Sequence, residues 1–413
     1  MNRVVITGMG VLSACGNSVE EFWEHLRAGR SGLAPLTRLA PESVANNVAG
    51  EVRNFQVAEH FGKQVELLDR FTQLALVATR QALADAGLPS RFDEAMAGPA
   101  PARVGVYTGS ALGGAESQDV AYQQLYGKGA TRVHPFSIPR CMMNAPSAHI
   151  SMESGAQGPC MAVSTACASA THALGEASRW LRAGLVDVVL AGGCDAPLSY
   201  GVVRAWEAMR VLAPPGDRPQ EACRPFSLDR AGMVLAEGAA MFVLETESHA
   251  RGRGARIRAE LAGYGASADA GHITQPTVRG PLRAMRMAMQ EAGFSPEDID
   301  YINAHGTGTR LNDSTEIAAI RELLGAAAMQ VSISSTKSML GHAMGASGGL
   351  ELAACVLALE HQLVPPTASW HALDPECDLD VTPNVARSRR VEAVLSNSFA
   401  FGGLNAVLAV RRA

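Results

Sequence analysis

Short apolar runs, many of them β-branched and ending in Gly, Ser or Cys, alternate along this chain with longer stretches in which apolar residues recur every three or four positions. The short runs predict strands at 3–7, 104–108, 161–165, 186–191, 241–245, 301–304, 331–334, 393–397 and 406–410. Between two of them, Ala170, Ala173, Leu174, Ala177 and Leu181 fall on one stripe of a helix over 167–183, which makes a βαβ unit. Further helices are predicted over 66–87, after the Ser18/Glu21 capping signature, and over 351–359. Helices packed on mostly parallel strands give an α/β fold. Two segments echo each other, VSTACASATHALGEA and ISSTKSMLGHAMGASGG, each running from a strand through Ser-Thr and small residues into a helix. The echo predicts a duplicated architecture, two halves over 1–250 and 251–413 that share one core. The weakly periodic stretch 110–160 reads as an insertion that covers a site or a partner.

Composition narrows the field. A chain of 413 residues, 47% of them hydrophobic, can bury a large core, and no small stapled fold is needed. Charged residues make up only 18% and the net charge is −5, so there is no concentrated basic face of the kind nucleic acid requires. No apolar run reaches the ~18 residues of a membrane span, and MNRVVITGMGV reads as a first strand, without the apolar length and cleavage site of a signal peptide. The eight cysteines are scattered, without a C-x-x-C pair or a zinc-finger His spacing. Reduced thiols, a cytoplasmic location and no metal site are the expectation.

Several residues could carry chemistry. Cys167 sits in S-T-A-C-A-S-A, where small side chains permit a tight strand-to-helix turn that presents a thiol at a helix N-terminus, a setting that favours the thiolate. A small buried hydrophobe is the competing description of any single cysteine. His305 lies between I-N-A and G-T-G-T, where a strand ends and a Gly-rich loop opens, the place where parallel sheets put their sites. His342, in L-G-H-A-M-G-A-S-G, is again among residues small enough for close approach of a ligand. Lys337 is one of three lysines (with Lys63 and Lys128) among 35 basic residues, so its use in place of Arg hints at a compact charge in a tight site. Asp313 and Glu316 form either a capping box for the helix that follows or partners for Lys337. Gly402 and Gly403, in N-S-F-A-F-G-G-L-N, imply unusual backbone angles with amides free to hold an oxyanion.

Together, T-A-C-A-S, N-A-H-G-T-G-T, S-S-T-K-S-M-L-G-H and N-S-F-A-F-G-G resemble, in order and over essentially the whole chain, the elongating β-ketoacyl-[acyl carrier protein] synthases of the ketosynthase II type. Finer similarity in G-G-C-D-A-P-L-S-Y-G and W-E-A-M-R-V-L-A is closer to nodulation-type and polyene-type ketosynthases. The resemblance implies a thiolase-like fold, two duplicated halves in a five-layered α-β-α-β-α arrangement, normally dimeric. It implies that Cys167 takes an acyl group from acyl carrier protein, with its own amide and that of Phe401 holding the thioester oxygen. Thr307 and Thr309 would contact pantetheine, and His305 and His342 would stabilise the enolate formed when malonyl thioester loses carbon dioxide. Lys337, Glu316 and Asp313 would form a supporting charge network, and Phe401 with Phe399 a gate. Arg210 and Arg70 are candidates for docking the carrier protein. No cofactor is implied, since substrates arrive on the carrier's phosphopantetheine arm, and the partner in the dimer would be a second copy or a chain-length-factor-like ketosynthase. The chain departs from the family at Ala400, usually Gly, and Leu404, often Thr, and Gln118 falls near an acyl-pocket position that is often aliphatic. A non-catalytic chain-length subunit would lack Cys167, and a thiolase would carry a second cysteine where this chain has Phe-Ala-Phe. A pure acyl-binding scaffold would need none of these groups.

Overall fold

The computed structural model describes residues 2–95 and 98–413. Ten strands form one mixed sheet: β1 Val4–Leu12, β2 Val104–Gly109, β3 Cys160–Val163, β4 Val188–Asp195, β5 Gly238–Thr246, β6 Ala259–Ala268, β7 Tyr301–Asn303, β8 Ser332–Ser334, β9 Ala393–Ala400 and β10 Leu404–Arg412. In the sheet they run β3-β2-β4-β5-β1 and then β6-β10-β9-β7-β8. Adding five to each strand number converts the first half into the second. The directions match as well: β2 is parallel to β3 and β4, as β7 is to β8 and β9, while β5 and β10 are antiparallel to their neighbours. Among the described residues two pairs, Val5 with Glu260 and Ile6 with Ala259, join the halves edge to edge. The echo between the two Ser-Thr segments is thus the trace of a duplicated topology.

Between the halves lie helices Ser169–Arg182 and Ser347–His361, each touching strands of both. Helix Arg70–Asp85 covers the outer face of the first half, and helices Arg279–Ala292 and Arg310–Leu324 cover that of the second. This is the five-layered α-β-α-β-α arrangement. Helix Ser347–His361 is buried from Ser347 to Leu359, and apart from Glu351 that stretch, SGGLELAACVLAL, is apolar or small all round. Close contact of the two central helices depends on small residues, since a Cβ at Gly348 would meet Thr171 Oγ1 at 1.9 Å.

Strand β6 is absent from the sequence-based set. Its AELAGYGASA has no β-branched residue, yet it pairs with β10 over nearly its whole length. The other expected strands are present with ends displaced by a few residues, and β4 extends as far as Asp195. Helix 66–87 shortens to Arg70–Asp85, preceded by a 3₁₀ segment, Gly62–Leu67. The insertion after β2 contains helices Ala115–Tyr122 and Ala145–Ser154, the second packed on the edge strand β3, and it exposes Val120, Tyr126, Ile138 and Met152. Among the described residues no helix is long and apolar enough to cross a membrane.

Candidate active site

The duplicated strand-to-helix connections deliver the reactive groups to one place. After β3, Ala166 takes φ +50°, an angle L-residues rarely adopt, and this sharp turn swings Cys167 inward just ahead of helix Ser169–Arg182. After β8, the equivalent connection carries Lys337 on a short turn, Lys337–Leu340, and His342 beyond it. His305 leaves the end of β7, and Phe399 lies at the end of β9.

His342 Nε2 is 3.1 Å from Cys167 Sγ. The rings of His305 and His342 are 5.5 Å apart in an edge-to-face arrangement, and the Phe399 ring is 6.1 Å from that of His305. All four side chains line a cavity of about 640 Å³ that opens past Thr307, Thr309, Phe401 and the exposed Arg210. The Thr307 and Thr309 hydroxyls are 2.9 Å apart.

Charge at the site is governed by burial. It pushes the Cys167 thiol up to about 12, with Lys337 the main opposing influence. The expectation of a resting thiolate at a helix end is therefore corrected, because desolvation outweighs the helix field and the group rests as a thiol. Burial, reinforced by Lys337, holds both histidines well below their usual range, so both are neutral. The Lys337 ammonium donates to the His305 carbonyl at 2.6 Å and faces His305 Nδ1 at 3.4 Å. An ammonium offers only donors, so Nδ1 accepts and the ring hydrogen of His305 sits on Nε2.

The partner of Lys337 is neither Asp313 nor Glu316 but Glu351, in a buried ion pair. The capping-box alternative fails too, because helix Arg310–Leu324 has Thr309 at its N-cap and both acids lie inside it. Glu316 accepts from the amides of His305 (2.9 Å) and Gly306 (2.8 Å) and from Asn397 Nδ2 (3.0 Å). Asp313 accepts from the amides of Gly308 (3.2 Å) and Phe226 (2.9 Å). The two acids thus hold the backbone of the His305 loop. Glu351 escaped the sequence reading, although the one acid within the apolar stretch Ser347–Leu359 was a usable signal.

Three other expectations change. Arg70 is held by Glu237 in a bidentate pair (2.6 and 2.7 Å), is largely buried, and is not available for docking. Gln118 is exposed on helix Ala115–Tyr122, bonded to Tyr122, and is not among the residues lining the Cys167 cavity. Ala400 is an ordinary strand residue paired with Leu404, so glycine is not required there. The unusual angles fall where they were expected, on Gly402 (φ +82°) and Gly403 (φ +68°), next to Phe401. Trp206, which stacks on Phe401, and the exposed Arg310 at the cavity mouth were not anticipated from sequence.

Residues 1–250 match the family "Beta-ketoacyl synthase, N-terminal domain", and residues 258–371 match "Beta-ketoacyl synthase, C-terminal domain". The chain is 46% identical over 410 residues to Nodulation protein E of Rhizobium sp. (strain N33), covering 99% of each. It is 42% identical over 413 residues to 3-oxoacyl-[acyl-carrier-protein] synthase 2 of Staphylococcus aureus (strain COL), covering 99% of this chain and 98% of that protein. Among solved structures it superimposes on the ishigamide ketosynthase/chain length factor with a TM-score of 0.92 and 38% identity, covering 100% of this chain and 99% of that one. A thiol and two neutral imidazoles on one cavity, in a duplicated five-layered fold, agree with these matches, and the chain belongs to the β-ketoacyl synthase family.

Proposed function

We propose that this chain catalyses the decarboxylative Claisen condensation of an acyl group held on Cys167 with malonyl-acyl carrier protein, giving 3-oxoacyl-acyl carrier protein in fatty-acid, polyketide or polyene-type elongation. The observation that carries the proposal is the convergence of Cys167, His305 and His342 on one cavity open to the surface.

In the first half-reaction the Cys167 sulfur attacks the acyl thioester on the carrier's pantetheine. The S–H proton goes to the departing pantetheine sulfur, and the amides of Cys167 and Phe401 hold the oxyanion. Because the thiol starts near 12, its proton leaves as the attack proceeds, and the nearby His342 stabilises the developing negative charge. In the second, malonyl thioester takes the vacated place. Its C–C bond to the carboxylate breaks, carbon dioxide leaves, and Nε2–H groups of His305 and His342 receive the enolate oxygen. Each such donor is worth about 10²- to 10³-fold in rate, because it meets charge that develops only in the transition state. The enolate carbon attacks the acyl carbonyl, and the expelled Cys167 thiolate takes a proton from solvent. No electrons are exchanged with an outside acceptor, so the sequence of steps calls for no redox cofactor.

Thr307 and Thr309 are assigned to the pantetheine arm, Phe399 and Phe401 to the gate, and Lys337, Glu316 and Asp313 to ordering the histidines. Arg210, exposed at the mouth beside Arg310, is assigned to docking the carrier protein. The apolar face of the insertion, with edge strand β3, is assigned to a partner subunit, either a second copy or a chain-length-factor-like ketosynthase. A cytoplasmic location fits such a pathway. Incubating Cys167→Ala and the parent protein with acyl-carrier protein and weighing both by mass spectrometry tests the central assignment. Only the parent should gain the acyl mass, and an acylated variant would refute the role of Cys167.

A further inference from the structure

Two imidazoles that share one oxyanion must both present N–H to it, and a neutral imidazole presents N–H on only one nitrogen. The tautomer of each ring is set by whatever faces its other nitrogen. For His305 that group is Lys337, which can only donate. For His342 it is the hydroxyl of Ser347, 2.8 Å from Nδ1, and among the described residues the two atoms are each other's only hydrogen-bond partners. Both residues are buried, so solvent does not compete for that nitrogen.

Ser347 begins the central helix Ser347–His361, and Glu351, which pairs with Lys337, follows it one turn later on the same helix. Residues four apart share a helix face. One face of one buried helix therefore reaches both imidazoles, His342 directly through Ser347 and His305 through Glu351 and Lys337.

We propose that Ser347 is a positioning residue that donates its hydroxyl hydrogen to His342 Nδ1 and so keeps the Nε2 hydrogen aimed at the reacting atoms. The hydrogen at Nε2 faces the Cys167 sulfur, 3.1 Å away, during acyl transfer. When the malonyl thioester replaces the leaving pantetheine, the same hydrogen serves the enolate oxygen. The ring need not change tautomer between half-reactions. Without the hydroxyl, Nδ1 has no partner, the ring can carry its hydrogen on either nitrogen, and its orientation is no longer fixed. The proposal rests on the ketosynthase reaction assigned above, but the tautomer itself is observable without substrate.

The test is ¹⁵N NMR of the full-length, histidine-labelled protein in its native assembly, with the His342 signals assigned by their loss in His342→Ala. The expected result is a protonated Nε2 and an unprotonated, hydrogen-bonded Nδ1. In Ser347→Ala that pattern should be lost and malonyl-carrier-protein decarboxylation should fall by roughly 10- to 100-fold, as when the group orienting a ligating imidazole is removed. Ser347→Thr, which keeps the hydroxyl, should restore both, and if the extra methyl of Thr disturbs the fold the His342 tautomer of the parent protein decides the assignment. A protonated Nδ1 in the parent protein, or an unchanged decarboxylation rate in a folded Ser347→Ala, would overturn the assignment. A parent protein that decarboxylates no malonyl carrier protein would instead refute the proposed function, and the His342 tautomer would still decide the role of Ser347.

Discussion

The indole of Trp206 stacks on the ring of Phe401, with centroids 5.9 Å apart and planes 28° from parallel. Phe401 rides on a turn whose next two residues are glycines with positive φ, and the Gly402 amide donates to the Ile273 carbonyl at 2.7 Å. The aromatic pair therefore fastens the Phe401 turn to helix Tyr200–Ala208, while the Gly402 amide ties it to Ile273. Such a pair is worth about 0.5–1.5 kcal/mol, enough to change the share of displaced gate severalfold. Trp206→Ala is expected to speed amide hydrogen exchange at 401–403 and to raise the rate of Cys167 acylation severalfold. Unchanged exchange at those amides would show that the stack does not restrain the turn.

Lys337 and Glu351 form an ion pair with both side chains almost fully buried. Removing one partner leaves a buried charge unpaired, which destabilises by about 3–5 kcal/mol, whereas replacing both with apolar groups can be nearly neutral. Lys337→Ala should therefore lower the melting temperature clearly, and Lys337→Met combined with Glu351→Leu should recover most of the loss. The double variant should remain poorly active, because His305 Nδ1 has lost its donor. Recovery of activity together with stability would show that Lys337 serves the fold alone.

The legible parts of the site were those in which sequence spacing and chemistry coincide. Cys167, His305 and Lys337 each lie within three residues of the end of a predicted strand, with His342 further along the same connection as Lys337, and the folded chain brings the thiol and both imidazoles to one cavity with Lys337 against His305. Partners that come from another element were not legible. Glu351 reaches Lys337, and Glu237 claims Arg70, only through packing between layers. The same holds for the protonation state of Cys167, since the local turn suggested a thiolate and the degree of burial, a tertiary property, decided for the thiol. Strand β6 escaped because its many Ala and Gly residues derive their strand conformation from pairing with β10, not from their own propensity.

His305 makes no hydrogen bond to Cys167, whereas His342 does. The two imidazoles should therefore separate in the half-reactions. His305→Ala is expected to reduce malonyl decarboxylation by about 10²-fold or more while leaving acyl loading within severalfold of the parent. Equal losses in the two assays would place His305 in both steps and remove the distinction.

Glu316 offers a test in pH. Its carboxylate accepts three hydrogen bonds that favour the charged form, but burial is the larger influence and raises the group to about 7. A folded-state value above the unfolded one, about 4.3, means that the folded state binds the proton more tightly. The associated stability is fully present below the unfolded value and is lost as pH rises through 7. The loss from this group is on the order of 3 kcal/mol between those limits. Glu316→Gln cannot ionise, so its melting temperature should decline less than that of the parent between pH 5 and pH 8, even though its amide must sacrifice one bond to the His305 loop. Parallel pH profiles for the two proteins would show that Glu316 stays ionised in the fold, with its three donors outweighing burial.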